Sequence, residues 1–328
     1  MNLKEEFAGQ NVLITGGMGF IGSNLAHRLI EFGARVTIMD ILDPDTGANL
    51  QNIIDIRDQV EFIKADIRDD AQTRFAVKDK KFLFNLAGQG SHLGSIQDPV
   101  KDLDVNGMGQ LKLLLACHRY NPEIRIIYPS TRQVYGRTQY TPVDEFHPLV
   151  PVDYNGVSKH TGAMYHLTFN NIYGMWTTIL RMTNVYGPRM RIRDSRLTFI
   201  GCWFKYLLLD MELDVYGDGQ QIRDLNYVED VIDAMLLSVT NPAARGRIYN
   251  LGGAPVHLVD LAQLLIEING GGRYKLVPFP DNRKRIDIGD YFGDYSQIQN
   301  ELGWEPKIDV DEGVKKLFEW VKENKNLF

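Results

Sequence analysis

The stretch that decides the fold is Thr15-Gly16-Gly17-Met18-Gly19-Phe20-Ile21-Gly22. It follows an apolar run at 12–14 that is typical of a buried β-strand, and it opens a helical pattern at 20–32. Glycines at this spacing let the backbone turn tightly and approach a pyrophosphate at a helix N-terminus. The alternative is a glycine-rich turn without a ligand, but the position between a strand and a helix favours a dinucleotide site. We therefore expect contacts to a dinucleotide from Gly16, Gly19, Phe20, Ile21 and Gly22.

The rest of the first half alternates short apolar runs with longer helical patterns. Strands are predicted at 35–39, 60–64, 82–86, 125–128 and 177–180, and helices at 71–77, 100–120 and 156–173. This alternation predicts an α/β fold with a Rossmann-type doubly wound parallel sheet. Elements after Tyr186 are less regular, with helices at 228–239, 258–268 and 310–324. We predict an NAD-binding domain at 1–186 and a smaller mixed α/β substrate-binding lobe at 187–328, whose late strands can return to the sheet.

Composition excludes several classes of function. The 328 residues include 36 basic and 42 acidic side chains, and the net charge of −6 argues against nucleic-acid binding. No apolar stretch approaches the roughly 18 residues of a membrane-spanning helix. The two cysteines, Cys117 and Cys202, form no metal-ligand pattern, so we expect no metal site. A cytoplasmic protein is the expectation.

Asp40 ends the second predicted strand, 18 residues after Gly22. A carboxylate at this place accepts hydrogen bonds from the adenosine ribose hydroxyls, which selects NAD over NADP. The alternative is a plain cap of the strand end.

Together these features resemble the extended short-chain dehydrogenases, in particular the NAD-dependent epimerase/dehydratase family that acts on nucleotide sugars. The glycine-rich stretch is similar to the family's TGGxGFIG, and matches continue at ADIRD (65–69), NLAGQ (85–89), NGMG (106–109) and STRQVYG (130–136). The resemblance implies NAD as cofactor and an adenine contact from the third-strand motif. It implies further cofactor contacts, so that the expected set is Asp66, Ile67, Leu86, Ala87, Gly88, Asn106, Ser130 and Lys159.

Substrate residues follow from the same resemblance. RMTNVYGP (181–188) is similar to the family's RxxNVYGP and gives Asn184 a contact to the nucleotide diphosphate. GDGQQIRDLNYV (217–228) gives Arg223 a substrate phosphate, although an ordinary ion pair with Asp224 or Glu229 is the alternative. RIDIGD (285–290) suggests Arg285 as a second phosphate ligand, with Arg283 and Lys284 as alternatives. The basic loop at 189–196 is either a cover for an anionic substrate or a plain charged loop.

The catalytic motif departs from the family pattern. The resemblance implies that Thr131 supports the sugar oxygen and that Lys159 pairs with a tyrosine four residues earlier, which removes the hydroxyl proton. Asn155 stands at that place, and its amide does not take a proton at neutral pH. Tyr154 reaches the site if the helix begins at Asn155 or later, whereas a helix N-cap is the alternative for Asn155. His92, on the loop after the fourth strand, is another conceivable proton carrier.

A second departure concerns the reaction. Family members that eliminate water carry an Asp-Glu pair after the Ser-Thr, whereas this chain has Arg132 and Gln133. The resemblance therefore implies a nucleotide-sugar epimerase, at C4, acting on a nucleotide-diphosphate sugar. Alternatives are a nucleotide-sugar oxidoreductase, a dehydratase of atypical mechanism, or a non-catalytic protein that binds NAD and a nucleotide sugar. Relatives usually form a homodimer through two long helices, which here are those at 100–120 and 156–173.

Overall fold

The computed structural model describes residues 2–192 and 198–324. Twelve strands are present in these ranges: β1 Asn11–Thr15, β2 Arg35–Asp40, β3 Val60–Lys64, β4 Phe82–Asn85, β5 Arg125–Thr131, β6 Thr177–Met182, β7 Asn184–Tyr186, β8 Leu213–Tyr216, β9 Ile222–Tyr227, β10 Ile248–Asn250, β11 Pro255–His257 and β12 Tyr274–Val277. The α-helices in the same ranges are α1 Leu3–Phe7, α2 Phe20–Glu31, α3 Asp70–Ala76, α4 His92–Gln97, α5 Pro99–Leu103, α6 Gly109–Tyr120, α7 Tyr154–Tyr173, α8 Phe199–Leu208, α9 Val228–Thr240, α10 Leu258–Asn269, α11 Asp281–Lys284, α12 Ser296–Leu302 and α13 Val310–Glu323.

The predicted doubly wound parallel sheet is confirmed. Seven strands follow the order β10-β6-β5-β4-β1-β2-β3, and every neighbouring pair is parallel. The strand order reverses between β1 and β4, and such a reversal opens a crevice at the carboxyl ends of the strands. The crevice is therefore flanked by the β1–α2 turn and by the loop that follows β4.

Both faces of the sheet are covered by helices. Ile14 points to a core shared with Leu25 of α2 and Val231 of α9, whereas its neighbour Leu13 points to the opposite core with Leu113 of α6 and Phe169 of α7. Consecutive strand residues thus belong to different cores, because side chains alternate between the faces of a strand. Burial on both faces explains why the strands are nearly continuous apolar runs.

The prediction of one continuous helix at 100–120 is wrong. The structure divides it into α5, a π-helical turn at Asp104–Met108, and α6. A π-helical turn inserts one residue into the helical repeat and re-aims the side chains at that place. Here it lets Asn106 point inward, to the loop after β4.

The later part of the chain adds two small sheets beside the large one. β7, β9 and β11 form a mixed three-stranded sheet, and β8 pairs with β12. β10 returns to the large sheet and pairs with β6. The division at 186/187 itself stays a prediction. None of the helices in the described ranges is long and apolar enough to cross a membrane.

Candidate functional site

A cavity of about 590 Å³ lies at the carboxyl ends of the large sheet and extends toward the small sheets. Its walls come from the β1–α2 turn, the ends of β2 to β6, the start of α7 and the small-sheet region. Most of the predicted site residues line it: Gly16, Gly19, Phe20, Ile21, Gly22, Asp40, Asp66, Ile67, Leu86, Ala87, Gly88, Ser130, Thr131, Asn155, Lys159, Asn184 and Arg223. Three of them, Asn106, Tyr154 and Arg285, are not part of the lining.

The glycine-rich turn has no room for side chains. A Cβ on Gly22 would lie 2.4 Å from the Gly16 carbonyl oxygen, and one on Gly16 would lie 2.8 Å from the Leu86 backbone. Gly16 also has a φ of +69°, which favours glycine. The backbone thus forms a cradle at the N-terminus of α2, and this geometry fits the pyrophosphate of a dinucleotide.

Two carboxylates lie along the same wall. Asp40 accepts hydrogen bonds from the Met18 and Leu42 amides, and burial raises its pKa against the effect of those bonds. Asp66 is paired with Arg68, whose second partner is Asp104. Burial acts to raise the pKa of Asp66, but the hydrogen bonds from Arg68 outweigh it and the pKa is lowered. Both carboxylates therefore line this wall of the cavity as hydrogen-bond acceptors.

Asn106 lies outside the cavity lining and holds the loop after β4 that forms part of the cavity wall. Its Oδ1 accepts from the Gln89 amide at 3.0 Å, and its Nδ2 donates to the Gln89 carbonyl at 2.9 Å. This two-way bond fixes the loop that continues from Leu86, Ala87 and Gly88. The predicted contact of Asn106 to the cofactor stays a prediction, because the side chain lies outside the cavity lining.

Lys159 lies beside Gly88 and Asn106. A Cβ on Gly88 would be 2.8 Å from the Lys159 Nζ, so the absence of a side chain there makes room for the ammonium. Burial lowers the pKa of Lys159 to about 8, although the Asp102 charge acts in the opposite direction. Asp102 is itself fully buried, and it accepts from the Asn106 and Asn155 amides.

Asn155 is a buried hydrogen-bond donor. Its Nδ2 donates to the Gln89 carbonyl at 2.7 Å and to the Asp102 Oδ1 at 3.0 Å, which uses both amide hydrogens. The N-cap of α7 is Asp153, whose Oδ1 accepts from the Gly156 amide, so the N-cap alternative for Asn155 is wrong. Asn155 instead joins α7 to the loop after β4 and to α5.

Tyr154 lies outside the cavity, where it cannot act as the proton acceptor for a bound sugar. The expectation requires α7 to begin at Asn155 or later, but the helix begins at Tyr154 itself. The Tyr154 side chain is 53% exposed and does not line the cavity. The rotation between residues five apart on a helix therefore separates Tyr154 from Lys159, as ideal geometry requires.

The part of the cavity that extends toward the small sheets is lined by cationic and amide side chains. The Arg223 guanidinium donates to the Ile222 and Gly289 carbonyls and pairs with Asp287 at 2.7 Å, so the expected alternative pair with Asp224 or Glu229 is wrong. Asn184 donates to the Asp224 carbonyl, and its Oδ1 accepts from Arg132 at 3.1 Å.

Arg132 is the cation that motif comparison missed. Its Nη1 is buried and has no hydrogen-bond partner among the described residues, and the guanidinium lies over the Tyr291 ring. Burial, together with the nearby Arg223 charge, lowers the pKa of Arg132 to about 10. A buried guanidinium with a free donor is a candidate anion ligand. In the sequence, the position of Arg132 directly after Thr131 is what indicates that it belongs to the site.

Arg285 lies outside the cavity. It follows the short helix α11 and is exposed, whereas Arg283 lines the cavity. The expectation for Arg285 is therefore corrected in favour of Arg283, because α11 turns the two side chains to different sides. In the basic loop, Arg191 lines the cavity, while Arg193 and Arg196 lie outside the described residues.

Comparisons with known proteins agree with this architecture. The model of the GDP-mannose 4,6 dehydratase family matches residues 13–317. This chain belongs to the NAD-dependent epimerase/dehydratase family of nucleotide-sugar enzymes. Within that family it is 33% identical to a putative UDP-glucose 4-epimerase of Methanocaldococcus jannaschii, over 95% of this chain and 99% of that protein.

Two further relatives show the range of reactions. A CDP-paratose 2-epimerase of Salmonella typhi is 30% identical over 94% of this chain and 98% of its own length. The structure of UDP-glucose 4-epimerase from Thermotoga maritima, solved with UDP-glucose, has a TM-score of 0.87 and 30% identity, over 96% of this chain and 100% of that chain. Solved relatives in this family include complexes with NAD.

Proposed function

We propose that this protein is an NAD-dependent nucleotide-sugar epimerase that acts at C4 of the sugar. The observation that carries the proposal is the composition of the catalytic end of the cavity. Thr131 and Lys159 line the same cavity, and the two residues after Thr131 are Arg132 and Gln133. Family members that eliminate water carry an Asp-Glu pair at these two places, and neither an arginine nor a glutamine transfers a proton at neutral pH. Epimerisation needs no such pair.

NAD, when bound, accepts a hydride from the sugar carbon and later returns it. The chain's own residues bind and orient the reactants. The glycine cradle would hold the pyrophosphate, Asp40 the adenosine ribose, and Lys159 the nicotinamide ribose. Asp66 and Ile67 would flank the adenine, while the loop at Leu86, Ala87 and Gly88 and the strand end at Ser130 would lie along the rest of the cofactor.

The sugar oxygen would be supported by Thr131. Its Oγ1 accepts from the Gln133 amide at 3.2 Å, which leaves the hydroxyl hydrogen to be donated. Arg132, Arg223 and Asn184 would hold the anionic diphosphate, because they are neighbouring cationic and amide side chains in the cavity lining. The substrate class is therefore a nucleotide-diphosphate sugar.

A panel of nucleotide sugars tests the proposal. The purified protein is incubated with NAD and with UDP-glucose, UDP-N-acetylglucosamine, GDP-mannose, CDP-paratose or dTDP-glucose, and products are identified by NMR. Conversion to the C4 epimer is the expected result. A 4-keto-6-deoxy product would favour an atypical dehydratase, and accumulation of NADH at 340 nm would favour a net oxidoreductase. Binding of the sugar without any conversion would favour the non-catalytic alternative, which the amide of Asn155 supports.

A homodimer is part of the proposal. Four apolar side chains on α5, α6, α7 and the π-helical turn between α5 and α6 are about half exposed, namely Leu103, Met108, Leu115 and Val157. Leu114 of α6 and Phe169 of α7 are buried in the core and are not part of this exposed set. A self-association surface explains why such side chains are exposed on neighbouring helices. Light scattering is expected to give twice the 37.4 kDa mass of the chain, and a 37.4 kDa species would contradict the dimer.

A further inference from the structure

The His92 imidazole lines the cavity and is held by a buried carboxylate. His92 begins α4, directly after the loop that follows β4. Its Nδ1 lies 2.8 Å from the Asp153 Oδ2, and the Asp153 side chain has 0% exposure, against 34% for the His92 side chain. A carboxylate only accepts hydrogen bonds, so Nδ1 carries a proton, and in the neutral ring Nε2 then has the lone pair. Among the described residues no hydrogen bond engages Nε2.

Asp153 fixes this ring to the catalytic elements on both sides. Its Oδ1 accepts from the Gly156 amide in the first turn of α7, and its Oδ2 also accepts from Gln133 Nε2 at 3.1 Å. One carboxylate thus joins the His92 loop, the turn after Thr131 and the helix of Asn155 and Lys159. The imidazole is therefore positioned among the side chains at the catalytic end.

Other groups at this end do not take a proton from a sugar hydroxyl. The Asn155 amide is neutral and its hydrogens are used, and Tyr154 lies outside the cavity. Tyr135 donates its phenol hydrogen to Asn250 and is fully buried beneath the turn. Lys159 carries a positive charge through most of the neutral range, since its pKa is about 8. An imidazole with a free Nε2 is the group suited to accept and return a proton.

Building on the epimerase function proposed above, we propose that His92 Nε2 is the proton acceptor and donor of the reaction and that Asp153 positions it. The hydroxyl proton would pass to Nε2 as the C–O single bond becomes a carbonyl, while the hydrogen of the C–H bond would pass with its two electrons to bound NAD. After the keto-sugar has rotated, the hydride would return to its other face and Nε2–H would give its proton back to the oxygen. Atoms and electrons balance within one turnover, without a net oxidant.

Turnover of three variants tests the assignment. His92→Gln keeps an amide of similar reach but removes the basic nitrogen, and kcat is expected to fall by about 100-fold or more while KM changes little. Added imidazole is expected to restore part of the activity of His92→Gly. His257→Gln is the matched control, because His257 lies on β11 outside the cavity, and its kcat is expected to equal that of the unchanged protein.

Asp153→Asn separates positioning from folding. Asparagine still caps α7 through its oxygen, but its NH2 group faces Nδ1 and drives the imidazole proton to Nε2. The expected result is a loss in kcat together with a lower unfolding midpoint, because the new NH2 group also faces the Gln133 Nε2 donor, so the tautomer of His92 is the readout that reports positioning. NMR of 15N-histidine-labelled protein without NAD or sugar gives an independent readout. We expect Nδ1–H in the wild-type His92 ring and Nε2–H in Asp153→Asn.

The outcomes distinguish the two proposals. No conversion of any panel sugar by the wild-type protein would overturn both the epimerase function and the role of His92. Conversion that survives in His92→Gln, or an Nε2–H tautomer in the wild-type ring, would overturn the assignment of His92 alone. Loss of activity in His92→Gln with rescue by imidazole in His92→Gly would support it.

Discussion

The cofactor end and the catalytic end of the cavity are built in different ways. At the end where we propose the cofactor, the wall is the backbone of the turn at 15–22, which has no room for a Cβ at Gly16 or Gly22. At the proposed catalytic end the site consists of side chains from four places: His92 at the start of α4, Asp102 on α5, Thr131 at the end of β5, and Asn155 on α7. A site made of one turn tolerates little change in that turn, whereas a site made of many side chains can exchange its proton carrier.

The largest effect is expected from Gly22→Ala. Its Cβ would lie 2.4 Å from the Gly16 oxygen and 2.7 Å from the Gly17 Cα, and neither backbone atom can move cheaply. We expect a loss of about 3 kcal/mol in the free energy of unfolding and loss of NAD binding, measured by urea denaturation and calorimetry. Gly90→Ala is the control, because a Cβ there meets no atom within 4 Å. Equal free energies of unfolding for Gly22→Ala and Gly90→Ala would contradict the claim that the glycine turn has no room for a Cβ at Gly22.

Lys159→Met tests the electrostatics of the catalytic end through pH. The pKa of Lys159 is about 8 in the folded chain, against an ordinary lysine value of 10.5, so the unfolded chain binds more protons between these values. Stability conferred by position 159 therefore rises with pH from about 8 to 10.5, and below pH 8 the buried charge costs about 3 kcal/mol. Lys159→Met should thus stabilise the cofactor-free protein most below pH 8, as measured by urea denaturation across pH.

The matched control for this experiment is Lys78→Met, since Lys78 is exposed. We expect no pH-dependent difference from the wild-type protein in that variant. If the difference in the free energy of unfolding between Lys159→Met and wild type stays constant from pH 7 to 10.5, the buried environment of Lys159 is contradicted.

Arg132→Met is expected to have a smaller effect, confined to the sugar nucleotide. Removal of the buried guanidinium should weaken UDP-glucose binding by about 10- to 100-fold, in line with the loss of one charge-assisted hydrogen bond. NAD affinity should be unchanged, because the hydrogen bond of Arg132 goes to Asn184 in the proposed diphosphate site and not to a residue of the proposed cofactor site. Arg285→Met is the control and should leave both affinities unchanged, as Arg285 is exposed outside the cavity. Weaker UDP-glucose binding in Arg285→Met and unchanged binding in Arg132→Met would restore the phosphate-binding role that motif similarity gave to Arg285.

The smallest effect is expected from Tyr154→Phe. The phenol is exposed and does not line the cavity, so kcat and KM for the converted sugar should stay within about twofold of wild type. Steady-state kinetics measure both constants. A large drop in kcat would show that Tyr154 reaches the substrate after all.

The same contrast explains what the sequence could predict. The strand order and the glycine cradle follow from local patterns, because apolar runs and glycine spacing act over a few neighbouring residues. The π-helical turn at Asp104–Met108 has no such pattern, so the sequence predicts one continuous helix over 100–120.

Contacts between distant segments are not predictable from local patterns either. Asp153 and His92 are 61 positions apart, and only the packing of α4 against α7 shows that they bond. Similarly, α11 decides that Arg283 rather than Arg285 lines the cavity. One-residue differences at a helix end change the direction of a side chain, and spacing alone does not fix where the helix begins.

The fate of the hydrogen at C4 tests the proposed epimerase function most sharply. Wild-type protein with NAD is incubated with UDP-[4-²H]glucose, or with the C4-deuterated form of the panel sugar that it converts, and the product is examined by NMR. We predict a C4 epimer that keeps the deuterium at C4, because the same hydrogen leaves C4 and returns to it within one turnover. A product that has lost the deuterium to water, or a sugar recovered unchanged, would contradict the account.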